Sequence, residues 1–400
     1  MKRGLHTEVL VVGAGPAGGA AALQLAATGR QVLLVERSLF PREKVCGDGL
    51  LEDSMKTLGE MGLAEAVRKK AHHISKIRFI APSGKQCDLE GEFYTLRRQE
   101  LDALIVEEAC RKGAEFVSGL EVTAPLEQDS RVTGALAVDQ QGQLVTIRAR
   151  VVLLAPGTNA RVLHSFGLLQ ERRPNAVGIR AYYRLQESLD DTVMYISYDR
   201  RMLPAYCWMF PMGNGVYNVG RGVFLSYQRQ QRSLDPRRPL FVSHAESLTA
   251  VLQSARRLGP IRAAPLRTGF RGARACRQGV LVLGEALGLT FPLIGEGIGN
   301  ALESGLTAAR VVARALESRE VSLEALREYE RRLRQRQEPF HRAYLQAEAW
   351  FRHTLVANCL IARTARSAEL KTVASKIISR QETARAIFSL RGLSKVLLAR

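Results

Sequence analysis

A glycine-punctuated pattern between Val9 and Glu36 constrains this chain more than any other stretch. Val9 to Val12 form an apolar run that leads into Gly13-Ala14-Gly15-Pro16-Ala17-Gly18. An alanine-rich segment follows to Gly29, and Gln31 to Glu36 form a second apolar run closed by an acid. An apolar run, a helical stretch and a second apolar run predict two parallel strands joined by a helix. The glycines have separate tasks. Gly13 allows the tight turn off the strand, Gly15 lets backbone approach a pyrophosphate, and Gly18 lets the helix pack closely on the sheet. The helix start offers free N–H groups and a positive dipole end to phosphates. Glu36 stands roughly 20 residues on, where an acid can accept hydrogen bonds from a ribose. The whole unit reads as a dinucleotide site.

The 400 residues suffice for one large domain or two ordinary ones with a real core. Six cysteines, scattered without a C-x-x-C pair, disfavour a metal site or a disulfide framework and suit a reducing compartment. The N-terminal residues run into the first strand without a signal-peptide pattern, and no apolar stretch is long enough to span a bilayer. The expected location is the cytoplasm. The net charge of +19 suits an arginine-rich surface, an anionic membrane face or an acidic substrate. No nucleic-acid-binding motif is present, so nucleic acid is not an expected partner.

Beyond Glu36, the segment Arg37 to Leu50 holds Arg42, Lys44 and Cys46-Gly47-Asp48-Gly49, suiting either a loop folded against a polyanion or an ordinary connection. Leu51 to Lys70 reads as helix, and Ile74 to Ile80 and Gln86 to Leu89 as strands. A helix is expected from Tyr94 to Lys112. Arg98 sits near its start, where a cation needs a nearby anion such as a phosphate or Asp102. Strands follow at 114–117, 121–125, 132–139, 144–148 and 151–154, with Gln141-Gly142 as a hairpin turn, and Ala155 to Asn159 form a loop at a ligand edge. From Val177 the pattern alternates with aromatics, predicting antiparallel strands at 179–185, 193–198, 206–211 and 215–222. Tyr206, Trp208 and Phe210 are either core or the wall of an apolar pocket. Helical sequence at Ser243 to Arg257 interrupts this sheet. Gly279 to Ala286 then repeats the strand-to-glycine pattern, with Gly284 and Glu285 at its end. Pro292-Leu293-Ile294-Gly295-Glu296-Gly297-Ile298 opens a helix running to about Glu317. Two glycine-rich helix starts far apart in the chain fit one extended ligand lying across a domain.

The fold class expected is α/β: a Rossmann-like domain over 1–175 and 260–320, an inserted antiparallel-sheet domain over 176–259 with strands contributed from 74–98, and a helical region over 321–400. In combination, Gly13 to Gly18 with Glu36, Lys44 to Gly49, Arg98 with Leu101-Asp102, Tyr206 to Pro211, and Gly284-Glu285-Ala286 with Pro292 to Ile298 resemble the geranylgeranyl reductase family. That family comprises FAD-dependent enzymes built like p-hydroxybenzoate hydroxylase, and the Cys46 to Gly49 form is most similar to its menaquinone reductase branch. The resemblance covers about residues 8 to 320. It implies that FAD is held by Gly13, Gly15, Gly18, Glu36, Arg37, Cys46, Gly47, Arg98, Gly284, Glu285, Pro292, Gly295, Gly297 and Ile298. Glu285 stands where the family usually has aspartate. Tyr206, Trp208 and Phe210 would line the pocket of an apolar isoprenoid or quinone substrate.

The activity implied is reduction of carbon–carbon double bonds in a prenyl chain, with electrons from NAD(P)H, ferredoxin or another donor. Cys46 is then either a proton donor or a packed, inert thiol. The alternatives are a flavin monooxygenase or halogenase, although the halogenase Trp-x-Trp-x-Ile-Pro signature is missing, and an electron-transfer flavoprotein. From Asn358 to Arg400 the chain carries nine basic and two acidic residues. Leu370, Val373, Ile377, Ala384, Ile387 and Phe388 fall on helical spacing, predicting either a helix packed on the body or one lying on an anionic membrane.

Overall fold

In a computed structural model of the chain, residues 3–170, 173–186, 189–225, 240–241, 246–389 and 392 are described. The opening unit forms as its sequence dictates: β1 (Arg3–Val12), α1 (Pro16–Ala27) and β2 (Val32–Glu36), with Val9 to Val12 paired parallel to Val32 to Val35. β3 (Gly49–Leu50) follows. The segment 51–70 is two helices, α2 (Glu52–Glu60) and α3 (Ala64–Lys70), where the sequence predicted one. Gly62, with φ of 73°, turns the chain between them, a left-handed conformation natural to glycine.

Next come β4 (His72–Ile80), β5 (Gln86–Thr95), α4 (Arg98–Arg111), β6 (Glu115–Ser118), β7 (Glu121–Gln128), β8 (Arg131–Val138), β9 (Leu144–Leu154) and α5 (Ala160–Ser165). The two strands expected at 144–148 and 151–154 are one, β9. One edge of β9 pairs along its length with β1; the other is shared, first by β8 and then by a later strand. The ladder runs through Arg148, paired with His6, and resumes in the same register at Val151 beyond Arg150, although the two arginines look like a break in sequence.

The aromatic-rich region supplies β10 (Ala176–Arg184), β11 (Val193–Ser197), β12 (Cys207–Pro211) and β13 (Val216–Phe224), followed by α6 (Glu246–Ser254) and β14 (Arg256–Leu266). Of the helix expected at 243–257, residues 243–245 lie outside the described residues, and Arg256 and Arg257 belong to β14. β14 also carries the second sheet past the domain boundary expected at 259. The chain ends with β15 (Cys276–Arg277), β16 (Val280–Val282), α7 (Ile298–Glu317), α8 (Leu323–Phe351), α9 (Thr354–Arg366) and α10 (Ala368–Ile378).

The strands form two sheets. The first has the order β15-β16-β9-β1-β2-β6, with a parallel run from β16 to β6 and the β7-β8 hairpin joined to β9. The second has the order β14-β10-β13-β12-β11-β4-β5-β3, antiparallel except between β11 and β4. Burial of β1, β2 and β16 on both faces explains their uninterrupted Val and Leu runs. Close approach of α1 and α7 is permitted by Gly305, where a Cβ would collide with the Ala17 carbonyl oxygen.

The C-terminal helices cover the second sheet. Leu370, Ile377, Ala384, Ile387 and Phe388 are buried in one cluster with Leu89, Tyr198, Tyr344 and Phe351. The apolar face that was open to a membrane reading is therefore core, and it cannot also lie on lipid. Residues 390–391 and 393–400 of that basic segment lie outside the described residues.

Candidate functional site

A single cavity runs between the two sheets from the glycine turn after β1 to the face of β11 and β12. At its polar end Gly13 has φ of 103°, and a Cβ there would strike the Ala155 carbonyl oxygen. A Cβ on Gly18 would strike the Gly13 carbonyl oxygen, so the turn and the helix start fit only as glycine. Gly15 caps α1 without a side-chain hydrogen bond, and no acidic residue lies in that first turn, leaving its amides and dipole uncompensated. Arg42 and Arg98 flank the same point: a Cβ on Gly15 would lie 3.7 Å from an Nη2 of each. Helix amides and two guanidiniums are the chemistry of a diphosphate site.

Glu36 braces this turn. Its Oε2 accepts from the Ala14 amide at 3.1 Å and its Oε1 from the Ser38 amide at 3.1 Å, with Arg42 Nε at 3.4 Å. Arg98 finds the anion that its helix position demands in Asp102, donating from Nε at 3.0 Å and Nη2 at 2.9 Å.

The loop after Arg42 is fixed from below. Asp48, buried and at φ of 63°, accepts from Tyr182 Oη at 2.6 Å, Asn218 Nδ2 at 2.8 Å and the Arg98 amide at 3.3 Å. Asn218 also donates to the Cys46 carbonyl at 2.8 Å and accepts from Trp208 Nε1 at 3.0 Å. Burial pushes the Asp48 carboxyl up, while the bonds from Tyr182 and Asn218 pull the other way. Burial, then the nearby Asp48, pushes the Cys46 thiol up, keeping it protonated at neutral pH although Arg98 opposes.

On the far wall, Glu285 and the loop 290–298 face the cavity. Glu285 is driven up by burial, and its Oε1 has no partner. Leu293 and Gly295 adopt φ of 67° and 66°, turning the loop, and Tyr206 Oη donates to the Ile294 carbonyl. The apolar end is built by period-two alternation. Tyr206, Trp208 and Phe210 face the cavity while Cys207 and Met209 enter the core behind. Ile77, Phe79, Met194, Ile196 and, from α10, Ile378 complete it.

Of the residues singled out in sequence, Gly13, Gly15, Glu36, Arg37, Cys46, Gly47, Arg98, Tyr206, Trp208, Phe210, Glu285, Gly295, Gly297 and Ile298 line this one cavity. Gly18, Gly284 and Pro292 lie behind its wall. Gly284 packs against α1, where a Cβ would come 2.8 Å from that of Ala17. Sequence reasoning missed the Tyr182-Asp48-Asn218 network and Arg380, which pairs with Asp53 and Glu303 at 3.3 Å each. No local pattern marks contacts between residues so far apart in the chain.

Parallel and antiparallel sheets around a cavity with a diphosphate-type end and an apolar end define a dinucleotide-dependent enzyme. The sequence profile of the FAD binding domain family matches residues 6–342. The chain belongs to that family of FAD-dependent oxidoreductases. It is 28% identical over 397 residues to digeranylgeranylglycerophospholipid reductase 2 of Methanopyrus kandleri, covering 94% of this chain and 97% of the relative. It is 30% identical over 326 residues to the menaquinone reductase of Mycobacterium tuberculosis, covering 79% and 78%. Among solved structures, a geranylgeranyl bacteriochlorophyll reductase-like protein of Thermoplasma acidophilum matches with a TM-score of 0.80 at 22% identity, over 96% of this chain and 99% of that one.

Proposed function

We propose that this protein saturates carbon–carbon double bonds of a prenyl chain, carried by a lipid or a quinone, at a bound FAD. The observation that carries this reading is the continuity of the cavity: a cationic end shaped for a diphosphate joins an aromatic and aliphatic end shaped for hydrocarbon. The similarity to two named prenyl-lipid and quinone reductases supports it.

The residues fit the cofactor. Gly13 and Gly15, the α1 amides, Arg42 and Arg98 would hold the diphosphate, Gly18 lets α1 start against the turn, and Glu36 with Arg37 would serve the adenosine half. Glu285, whose Oε1 is buried without a partner, would accept from the ribityl chain. Gly284 and Pro292 shape the wall, and the cavity-lining residues 295–298 with Cys46 and Gly47 would hold the flavin ring. Bound flavin supplies the hydride. The protein excludes water with Trp208, Phe210, Met194 and Ile196, and offers Cys46 as a protonated thiol.

Such a substrate resides in lipid, and no described helix is long and apolar enough to cross a membrane. The +19 charge supports adhesion to an anionic surface by cationic side chains. The test is single-turnover reaction of dithionite-reduced holoenzyme with geranylgeranyl and menaquinone substrates, read by mass spectrometry. A gain of two hydrogens per saturated bond is expected. Oxygen insertion or halogenation with no saturation points instead to the monooxygenase or halogenase chemistry, and flavin reoxidation by quinones without any saturation points to an electron-transfer flavoprotein.

A further inference from the structure

Three carboxyl groups converge behind the cavity-lining loop 290–298: Asp53 on α2, Glu303 on α7 and Glu296 between Gly295 and Gly297. The cations set against them are few. Arg380, which follows α10, donates to Asp53 Oδ2 and Glu303 Oε2 at 3.3 Å each. Its guanidinium lies 5.3 Å from the Phe291 ring and 5.2 Å from the Phe340 ring, an apolar setting that commits its charge to these acids. Arg336, from α8, reaches Glu303 from the solvent side. Gln337 Nε2 gives Glu303 a further bond at 2.8 Å. Glu296 receives one hydrogen bond, from the Gly299 amide to Oε1 at 2.9 Å. Its Oε2 is buried without a partner.

Asp53 Oδ1 and Glu303 Oε1 also lack a hydrogen bond, and burial raises Asp53 too, but both acids are paired with a guanidinium while Glu296, among the described residues, forms no ion pair. Three carboxylates against two guanidiniums leave one negative charge over, and a proton resolves that excess at lowest cost on the acid that no guanidinium holds. Glu296 is also the member of the cluster that lines the cavity, in the wall shared with Tyr206 and Cys46. We infer that Glu296 holds a proton in the resting enzyme and donates it to the double bond being reduced.

The inference rests on the reductase reading above. Two electrons and one hydrogen reach one alkene carbon as hydride from the reduced flavin; the O–H bond of Glu296 breaks as its proton forms a C–H bond on the other carbon. The flavin is left oxidised, and the Glu296 carboxylate is reprotonated from water. Burial, then the charge of Asp53, pushes the Glu296 carboxyl up to about 8, with Glu303 adding to the rise and Arg380 and the Gly299 amide opposing it. Tyr206 and Tyr344 face the same carboxyl, and burial pushes their own phenols well above the working range, so they stay neutral. Such an acid is protonated at neutral pH yet close enough to it to give its proton up.

The test uses FAD-loaded enzyme and the variant Glu296→Gln. Infrared titration should show a protonated carboxylic band in the wild type, with a midpoint near pH 8, that is absent from the variant. Flavin content and dithionite reduction should be unchanged in Glu296→Gln, while single-turnover saturation at pH 7 falls about 100-fold or more. The wild-type rate should decline above the midpoint and the variant's should not. Arg380→Gln, which removes the opposing cation, should move the midpoint upward. The inference is overturned if the band survives in Glu296→Gln, if that variant keeps the wild-type rate and pH profile, if Arg380→Gln leaves the midpoint in place, or if Cys46→Ser abolishes the alkaline limb instead. A wild-type enzyme that saturates no prenyl substrate while the band titrates as expected overturns the reductase reading and the donor role, but not the proton on Glu296.

Discussion

Arg98 and Asp102, one helical turn apart at the start of α4, form a buried two-pronged ion pair whose Oδ2 is shared with Arg42 Nη1 at 2.7 Å. Asp102 thereby aims two guanidiniums at the amides of α1. Asp102→Asn should leave the buried Arg98 and the half-buried Arg42 with half their anion, costing the flavin-free protein about 3 kcal/mol. Bound diphosphate replaces the missing charge, so FAD should recover much of the loss. Thermal unfolding with and without FAD checks this; an equal loss in both states would mean that the arginines do not face the cofactor.

Gly15 separates folding from binding. A Cβ there meets only the two arginine tips at 3.7 Å, so Gly15→Val should fold, with a cost of about 1 kcal/mol from the poorer helix cap. The side chain would stand where the diphosphate must approach. Circular dichroism should be unchanged while flavin is absent from the purified protein.

How much of this was legible in sequence depends on whether the cue is local. The β1-α1-β2 unit could be read because strand, glycine turn, helix and acid are each specified within a few residues. β14 could not: Arg256, Arg257, Gly259, Pro260, Arg262 and Pro265 resemble a loop, and an edge strand tolerates them because one of its sides makes no ladder bonds. The spacing of Leu370, Ile377 and Phe388 showed an apolar face but not what covers it. Tyr344 and Phe351, which do, lie on another helix. The cavity-facing set Tyr206, Trp208 and Phe210 was visible as alternation, whereas the Asn218 to Asp48 bond that seats it joins residues with no shared pattern.

Ile378 tests whether α10 closes the apolar end. It lines the cavity and packs against the cluster that includes Met194 and Ile196 while remaining partly accessible. Ile378→Trp should therefore fold and keep FAD, but shorten the space for hydrocarbon. Turnover of long prenyl substrates should fall at least about 10-fold relative to short ones, as expected when several methylenes lose their pocket. Equal loss on all chain lengths would place the substrate elsewhere.

Stability should fall as pH rises from about 4.5 to about 8, because Glu296 is raised over that interval when folded. Within it the native state holds a proton that the unfolded chain has released, so deprotonation favours unfolding. The contribution is about 1–4 kcal/mol. Denaturant titrations across this window should show a shallower slope in Glu296→Gln, and identical slopes would refute the assignment.

A chain ending at Arg352 should not fold as the native protein does. It would uncover Tyr344 and Phe351 and delete Leu360, Ile361, Leu370, Ile377, Ile387 and Phe388, all buried in the same cluster. Each such side chain contributes about 1.5–3 kcal/mol by leaving water, so the deletion removes an amount comparable to the whole stability of a domain, about 5–15 kcal/mol. Loss of Arg380 would also leave Asp53 and Glu303 without their interior cation. The expected result is aggregation or an early, uncooperative melt with no bound flavin. Vesicle binding by the full chain, measured by flotation with anionic lipids, should weaken steeply with salt and should survive Leu370→Ala and Ile377→Ala in whatever fraction stays folded, because those residues face inward. A stable, flavin-loaded truncated chain that has lost only vesicle binding would restore the membrane role to this face and overturn its assignment to the core.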